Sequence, residues 1–193
     1  QPFHTQEKIA FESANPFNFR DVIVHLEKQE AQEVFGILYL PETSSENKKI
    51  PLIIAFAGSK GWAKHHLEYL QMYHEMGMAT FEVKSFESRN VTSTVGSQIS
   101  VTTAMMILDG YKALELLSNH PKIDSKNIAI TGWSLGGGVA LYSGWKPLIN
   151  AINPTHSFAA HLSFYPACIV EPLDLNFTSA PIDIQIGELD NWT

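Results

Sequence analysis

Cysteine is all but missing from this chain: Cys168 is the single one in 193 residues. No internal disulfide can form, and a lone cysteine reads as a small buried hydrophobe unless a positive neighbour makes it reactive. Arginine is almost as scarce, with only Arg20 and Arg89. Lys and Arg together number 13 against 20 acidic residues, for a net charge of −7, and they never gather into a basic patch. That excludes nucleic acid as the main partner. No apolar run approaches the ~20 residues of a membrane-spanning helix. There is no internal repeat and no low-complexity block. The first residue is Gln1, with no signal-peptide pattern, which fits a mature periplasmic or secreted form whose leader was removed, or a cut piece; a cytoplasmic location is the alternative. What remains is globular in character, 45% apolar and 17% charged. A chain of this length suits one domain that buries roughly 70% of its unfolded surface.

The most informative stretch is Asn127-Ile-Ala-Ile-Thr-Gly-Trp-Ser-Leu-Gly-Gly-Gly138. The apolar run Ile128 to Thr131 reads as a buried strand. It leads into Gly132-Trp-Ser134-Leu-Gly136, a G-x-S-x-G pattern, and then into a helix-compatible stretch from Gly137 to Trp145. In a nucleophile elbow the turn is so tight that the residues two before and two after the serine must be small. The serine is held in a strained backbone geometry with its hydroxyl exposed, and the helix N-terminus behind it favours developing negative charge. On its own the pattern is weak, because a Gly-rich strand–helix turn with an incidental serine looks the same. Its weight depends on context.

Residues 1–19 show no clear period and are expected to form an N-terminal surface segment, followed by one domain over 20–193. Arg20 to Leu26 and Glu33 to Leu40 read as two strands of an antiparallel hairpin at a sheet edge. Pro41 to Lys49 reads as a loop. Ile50 to Phe56 is a continuous apolar strand of the kind buried on both faces. A small-residue loop, 57–62, precedes a helix from His65 to Met76 that Gly77 stops. Met78 to Val83 is the next strand, 86–94 a polar loop, and Gly96 to Ser118 the longest helix, with Ile99, Thr103, Met106, Ile107, Gly110, Leu114 and Leu117 on its apolar face. Asp124 to Asn127 is a turn. Phe158 to Phe164 and Ile182 to Ile186 are two further strands, with no clear helix before the last. This alternation predicts an α/β fold: a doubly wound, mostly parallel sheet with helices on both faces. In such a sheet the active site lies beyond the carboxyl ends of the strands.

That rule sorts the candidates. Ser134 is the candidate nucleophile. The Leu135 and Ser59 backbone N–H groups are the candidate oxyanion donors. Asp190, in the turn that Gly187 opens after the last strand, is the candidate acid, ahead of Glu188; Asp183 lies within the strand and reads as structural. Trp62, Phe86, Trp133 and Tyr165 flank the working-edge loops and are candidates for an apolar substrate pocket. For Trp133, core packing is an equal alternative. Arg89 reads as a solvated loop residue or as a holder of a substrate carboxylate. The histidines are the difficulty. The order in this type of fold is Ser, acid, His, and none follows Asp190. His120 and His156 precede strands. His161 lies inside a strand, ~13 Å below the edge at ~3.3 Å per residue. His25 is in the first hairpin and His4 in the tail. His65 and His66 start at the right edge, where a surface helix start or a substrate contact suits them better than a metal site with Glu68 or His74. No metal and no cofactor is expected. Asn90, Asn176 and Asn191 open glycosylation sequons, which carry weight only in an exported protein.

The chain resembles the dienelactone hydrolase family of α/β-hydrolases over about residues 20 to 193. The segments that carry the likeness are Asp109-Gly-Tyr-Lys-Ala-Leu with His120-Pro-Lys-Ile-Asp124, the elbow Ile130 to Gly138, Ala160-His-Leu-Ser-Phe-Tyr-Pro166 and Ile186-Gly-Glu-Leu-Asp-Asn-Trp-Thr193. The resemblance implies an α/β-hydrolase fold, with Ser134 as nucleophile, Asp190 as triad acid, and Ser59 and Leu135 as oxyanion donors. It also implies a final strand, helix and catalytic His after residue 193, so that the domain is expected to be incomplete at its C-terminus. The family's eponym uses cysteine where this chain has Ser134, and Ala57-Gly58 stands where α/β-hydrolases often have His-Gly. Relatives with a similar tail resemble exported proteins in which a cysteine near Cys168 has a partner shortly after the tail, which implies that Cys168 is half of a disulfide.

The expected function is therefore a serine hydrolase acting on a small carboxylic ester or lactone through an acyl-enzyme. The alternative is a non-catalytic binding or scaffold protein on the same fold, motivated by the missing His.

Overall fold

A continuous apolar strand must be covered on both faces, and Ile50–Phe56 is: every residue but Pro51 is buried. It lies in the middle of a seven-stranded sheet. The computed structural model describes residues 5–42, 48–168 and 170–191. In chain order the elements are β1 (Thr5–Ala14), α1 (Phe19–His25), β2 (Ala31–Leu40), β3 (Ile50–Phe56), α2 (Lys64–Glu75), β4 (Ala79–Val83), α3 (Thr103–Leu117), β5 (Ile123–Trp133), α4 (Leu135–Tyr142), α5 (Lys146–Ile152), β6 (His161–Phe164) and β7 (Ile182–Gln185). The strand order is β1-β2-β4-β3-β5-β6-β7. β2 pairs antiparallel with β1 and β4, and every other pair is parallel. Side chains alternate across β3. Leu52, Ile54 and Phe56 face the large core under α3 and α4, while Ile53 and Ala55 meet Leu70 and Tyr73 of α2 on the other face. The expected doubly wound sheet with an antiparallel N-terminal pair is thus present.

The members of that pair differ from the expectation. Thr5–Ala14, expected as a surface segment, is a strand paired with β2 along its whole length. The stretch read as the first strand of the hairpin is helix α1 instead. Its signal was a capping box: the Asn18 side chain accepts from the Asp21 N–H at 2.9 Å, and the Asp21 carboxylate accepts from the Asn18 N–H at 3.2 Å. The apparent alternation at Val22, Val24 and Leu26 misled, since only Val22 is buried.

Helix α3 starts seven residues later than its periodicity suggested. Thr102 caps it, accepting from the Met105 N–H at 3.3 Å. Ile99, assigned to its buried face, lies before the helix and is 64% exposed. The turn expected at Asp124 to Asn127 is an excursion within β5, where the register against β3 jumps from Ile50–Ile123 to Leu52–Ile128. The helix after the elbow is shorter than expected and is followed by α5, which begins with Pro147 in its first turn and was not foreseen. β6 is confined to the last four residues of the run that opens at Phe158. Among the described residues no helix intervenes between β6 and β7, and none is long and apolar enough to cross a membrane. The loop expected over 41–49 lies partly outside the described residues, as does the sequon at Asn191.

Arg89 is neither solvated nor free for a substrate. It is buried against Asp109 of α3, with Nη1 at 2.8 Å and Nη2 at 3.0 Å from the two carboxylate oxygens. Asp109 also accepts from the hydroxyls of Ser13 at 2.6 Å and Ser85 at 2.7 Å. Arg89 reaches on to the Asn15 side chain and the Ala14 carbonyl. This network ties β1, the loop after β4 and α3 together. Removing one member of a buried, fully bonded pair strands the other charge, which typically costs ~3–5 kcal/mol. Arg89→Met should therefore lower the urea unfolding free energy by about that amount, and Arg89→Met/Asp109→Leu should recover part of it. A loss below about 1 kcal/mol in the single variant would contradict this account of the network.

Candidate active site

The carboxyl ends of β3, β4, β5, β6 and β7 form one edge, and the serine sits at its middle. Ser134 joins β5 directly to α4 with φ 55° and ψ −113°, a conformation that a non-glycine residue adopts only under constraint. Its N–H donates to the Phe164 carbonyl at 3.0 Å, and its carbonyl accepts from the Gly138 N–H at 3.0 Å. The surrounding glycines are required by contact. A Cβ on Gly132 would lie 2.0 Å from the Gly136 carbonyl oxygen, and one on Gly136 would lie 2.3 Å from that of Phe56. A Cβ on Gly137 would lie 2.5 Å from the Phe164 oxygen. The turn thus packs backbone to backbone against the ends of β3 and β6. The Ser134 side chain remains partly exposed.

Two N–H groups beside it are available. Neither Ser59 nor Leu135 donates to a backbone carbonyl among the described residues. Leu135 opens α4, so its N–H is one of the unpaired donors of a helix N-terminus. Ser59 is held through its carbonyl, which accepts from the Thr94 N–H at 2.8 Å and the Ser93 hydroxyl at 3.0 Å. Gly58 lets this loop close on the elbow, since a Cβ there would sit 3.2 Å from the Trp133 carbonyl and 3.5 Å from the Ser134 Cβ. Preorganised N–H donors aimed at a developing oxyanion are in general worth ~10²–10³ in rate each.

Asp190 stands in the turn after β7, its N–H donating to the Gly187 carbonyl at 3.0 Å. Strand β6 lies between β7 and the serine strand. Glu188 is exposed, and Asp183 accepts from the Gln185 side chain within β7. No histidine among the described residues bonds to Ser134. His161 is buried in the core, its Nδ1 3.0 Å from the Ser143 hydroxyl and 2.9 Å from the Ala140 carbonyl, and burial holds it below the usual imidazole range. His65, His66 and His74 turn to three different partners: the Tyr165 hydroxyl at 2.9 Å, the Ala63 N–H at 3.1 Å and the Thr80 hydroxyl at 2.7 Å.

The pocket expected around the four aromatic residues is not formed by them. Trp133 is fully buried and packs in the α2-side core, stacked between Phe164 and His66 with ring centroids at 5.6 and 4.6 Å. The core reading of this residue is the one the packing supports. Trp62 and Phe86 border a cavity of only ≈ 10 Å³, room for about one water. Tyr165, in a left-handed conformation with φ 36°, packs beside Trp133 and bonds His65. A far larger cavity, ≈ 510 Å³, opens between α1, α3 and α4 and reaches Leu135, the residue after the serine. Phe17, Phe19 and Tyr142 line it, and no sequence signal marked them because they come from two segments far apart in the chain. Cys168, expected to be buried, is exposed.

The strand order and the helix-backed serine turn define an α/β-hydrolase, and solved structures share that fold. A dienelactone hydrolase-like promiscuous phosphotriesterase from metagenomic libraries superposes with a TM-score of 0.66 at 16% identity, over 95% of this chain and 70% of that one. A thermophilic esterase of Thermogutta terrifontis gives 0.57 at 18%, over 72% of this chain and 51% of that one. Porphyromonas gingivalis dipeptidyl peptidase 4 gives 0.55 at 16%, over 85% of this chain and 21% of that one. The fold therefore hosts several chemistries. Within it, the acetyl xylan esterase (AXE1) family matches residues 20–170, well over half of the chain. The chain belongs to that family and is an esterase-type hydrolase. Among curated proteins no sequence matches.

Two consequences can be measured. Gly136→Ala forces a Cβ into the Phe56 and Ala57 carbonyls, so it should destabilise by at least ~1–3 kcal/mol in urea unfolding. A fully stable variant would show that the turn has slack. His66 is held down to about 4, chiefly by burial and secondarily by His65. Its folded value lies below its unfolded one, so its contribution is intact above ~6.5 and is lost as pH falls towards 4. One such group adds at most ~1.4 kcal/mol of stability per pH unit in that window. His66→Phe, which retains the stack on Trp133, should flatten the pH dependence of unfolding between pH 6.5 and 4. An unchanged slope would remove His66 from this role.

Proposed function

We propose that this chain is a serine esterase in which Ser134 forms an acyl-enzyme. The observation that carries the reading is the strained Ser134 conformation at the β5–α4 junction, with the unengaged Leu135 and Ser59 N–H groups beside it. The serine hydroxyl attacks the acyl carbon and loses its proton to a histidine. The two N–H groups bind the oxyanion, the alcohol leaves with that proton, and water then releases the acid by the reverse sequence. Asp190 has the chain position of the acid that orients the histidine, and the reading assigns the histidine to a residue outside the described ones. The substrate class is a small carboxylic ester; the family's name favours an acetyl ester on a carbohydrate, and a lactone is the second choice. A non-catalytic binding protein is the rival reading, favoured by the lack of a histidine bonded to Ser134 among the described residues.

The test uses the protein at its full natural length, with p-nitrophenyl acetate and a fluorophosphonate probe. Wild type should turn over the ester and take up the label at Ser134. Ser134→Ala should do neither, with turnover falling by ~10⁶ where the triad acts as a unit. Turnover that survives in Ser134→Ala, or a wild type with neither turnover nor label, would overturn the assignment.

A further inference from the structure

The cavity of ≈ 510 Å³ lies in the range of pockets that enclose an organic ligand. Its walls are mainly apolar, with Phe17, Phe19, Val101, Leu135, Tyr142 and Val170 among them, and Asn18, Gln98, Thr102 and Thr103 add polar side chains. Phe17 and Val170 remain 51% and 40% exposed, so apolar surface is left open to solvent here. The cavity follows α4. Leu135, Gly138 and Tyr142 all line it, and seven residues of helix span ~10 Å. One end therefore adjoins Ser134. At the other, Phe19 of α1 meets the Tyr142 ring at a centroid distance of 5.6 Å.

Arg20 follows Phe19 and also lines the cavity. It is exposed, and among the described residues it has no ion-pair or hydrogen-bond partner. The adjacent Asp21 makes no ion pair with it; that carboxylate turns back to accept from the Phe17 and Asn18 N–H groups at 3.0 and 3.2 Å. The other arginine, Arg89, is consumed by Asp109. An apolar groove of this length, which reaches the residue after the serine and carries an unpaired guanidinium in its lining, is matched by an apolar chain that carries an anion at one end.

We propose that the groove between α1, α3 and α4 is an acyl subsite for an apolar chain of medium length ending in a carboxylate, with Arg20 as the carboxylate ligand. As a substrate site it rests on the nucleophile reading of Ser134; as a binding site it does not. An acetyl group would leave most of the groove empty.

Calorimetric titration with octanoate separates the two. Octanoate should bind saturably to wild type and equally to Ser134→Ala. Arg20→Gln, at an exposed position, should weaken binding about tenfold, the effect of one charge-assisted contact. Octylamine, of the same length and opposite charge, should not bind. Ala167→Phe and Thr103→Trp, which fill the groove from a loop and from the first residue of α3, should each abolish binding; thermal unfolding checks that they fold. Absence of octanoate binding would overturn the proposal, whether the groove is filled by another segment or simply unsuited. So would binding that Arg20→Gln and both filling variants leave unchanged. Octanoate binding without fluorophosphonate labelling of Ser134 would retain the site and reject the nucleophile. Labelling without binding would do the reverse.

Discussion

Everything at the working edge depends on how closely three backbones approach one another at the serine turn. β5 ends, the chain reverses through Ser134, and α4 begins against the carbonyls of Phe56 and Phe164. Side chains would hold these segments apart, so Gly132, Gly136 and Gly137 are dictated by contact and not by flexibility. The approach leaves the first N–H of α4 without a backbone carbonyl partner among the described residues. It also pins the loop after β3, through Gly58, against the Trp133 carbonyl and the Ser134 Cβ. The strain at Ser134 is sustained because its N–H and carbonyl are both bonded to neighbours that cannot move independently.

A second constraint holds the flank of the sheet. Asp109 accepts four bonds from three residues of two segments, β1 and the loop after β4, and the guanidinium it pairs with also reaches the end of β1. This network places the N-terminal pair against α3, and α3 supplies one wall of the large groove. Groove and elbow are thus set by different interactions. That separation allows the groove to vary while the serine turn stays fixed.

The elbow was legible because its signal is local: a β-run, small residues at fixed offsets and a helix, all within about a dozen residues. The central strands were legible for the same reason, since an apolar run such as Ile50 to Phe56 has few ways to hide both faces. The N-terminal third was misread where two periods competed. Val22 and Val24 fit alternation, but the Asn18 and Asp21 caps settled the backbone as helix. Arg89 could not be placed from sequence, because its partner is twenty residues away on another element. The aromatic pocket failed similarly. Trp133 lies next to the serine in sequence, yet strand alternation turns its ring into the core beneath α2.

The amino-acid sequence by itself determined the α/β class, the succession of the central strands along the chain and the serine turn, because each rests on period, residue size or spacing within a short window. Only the tertiary structure decided what surrounds that turn. It buried Trp133, removed Arg89 from contention, drew Thr5–Ala14 into the sheet and opened an apolar groove beside Leu135. Those outcomes come from segments far apart in the chain meeting across the fold, where contact distance and burial act and local pattern has no reach.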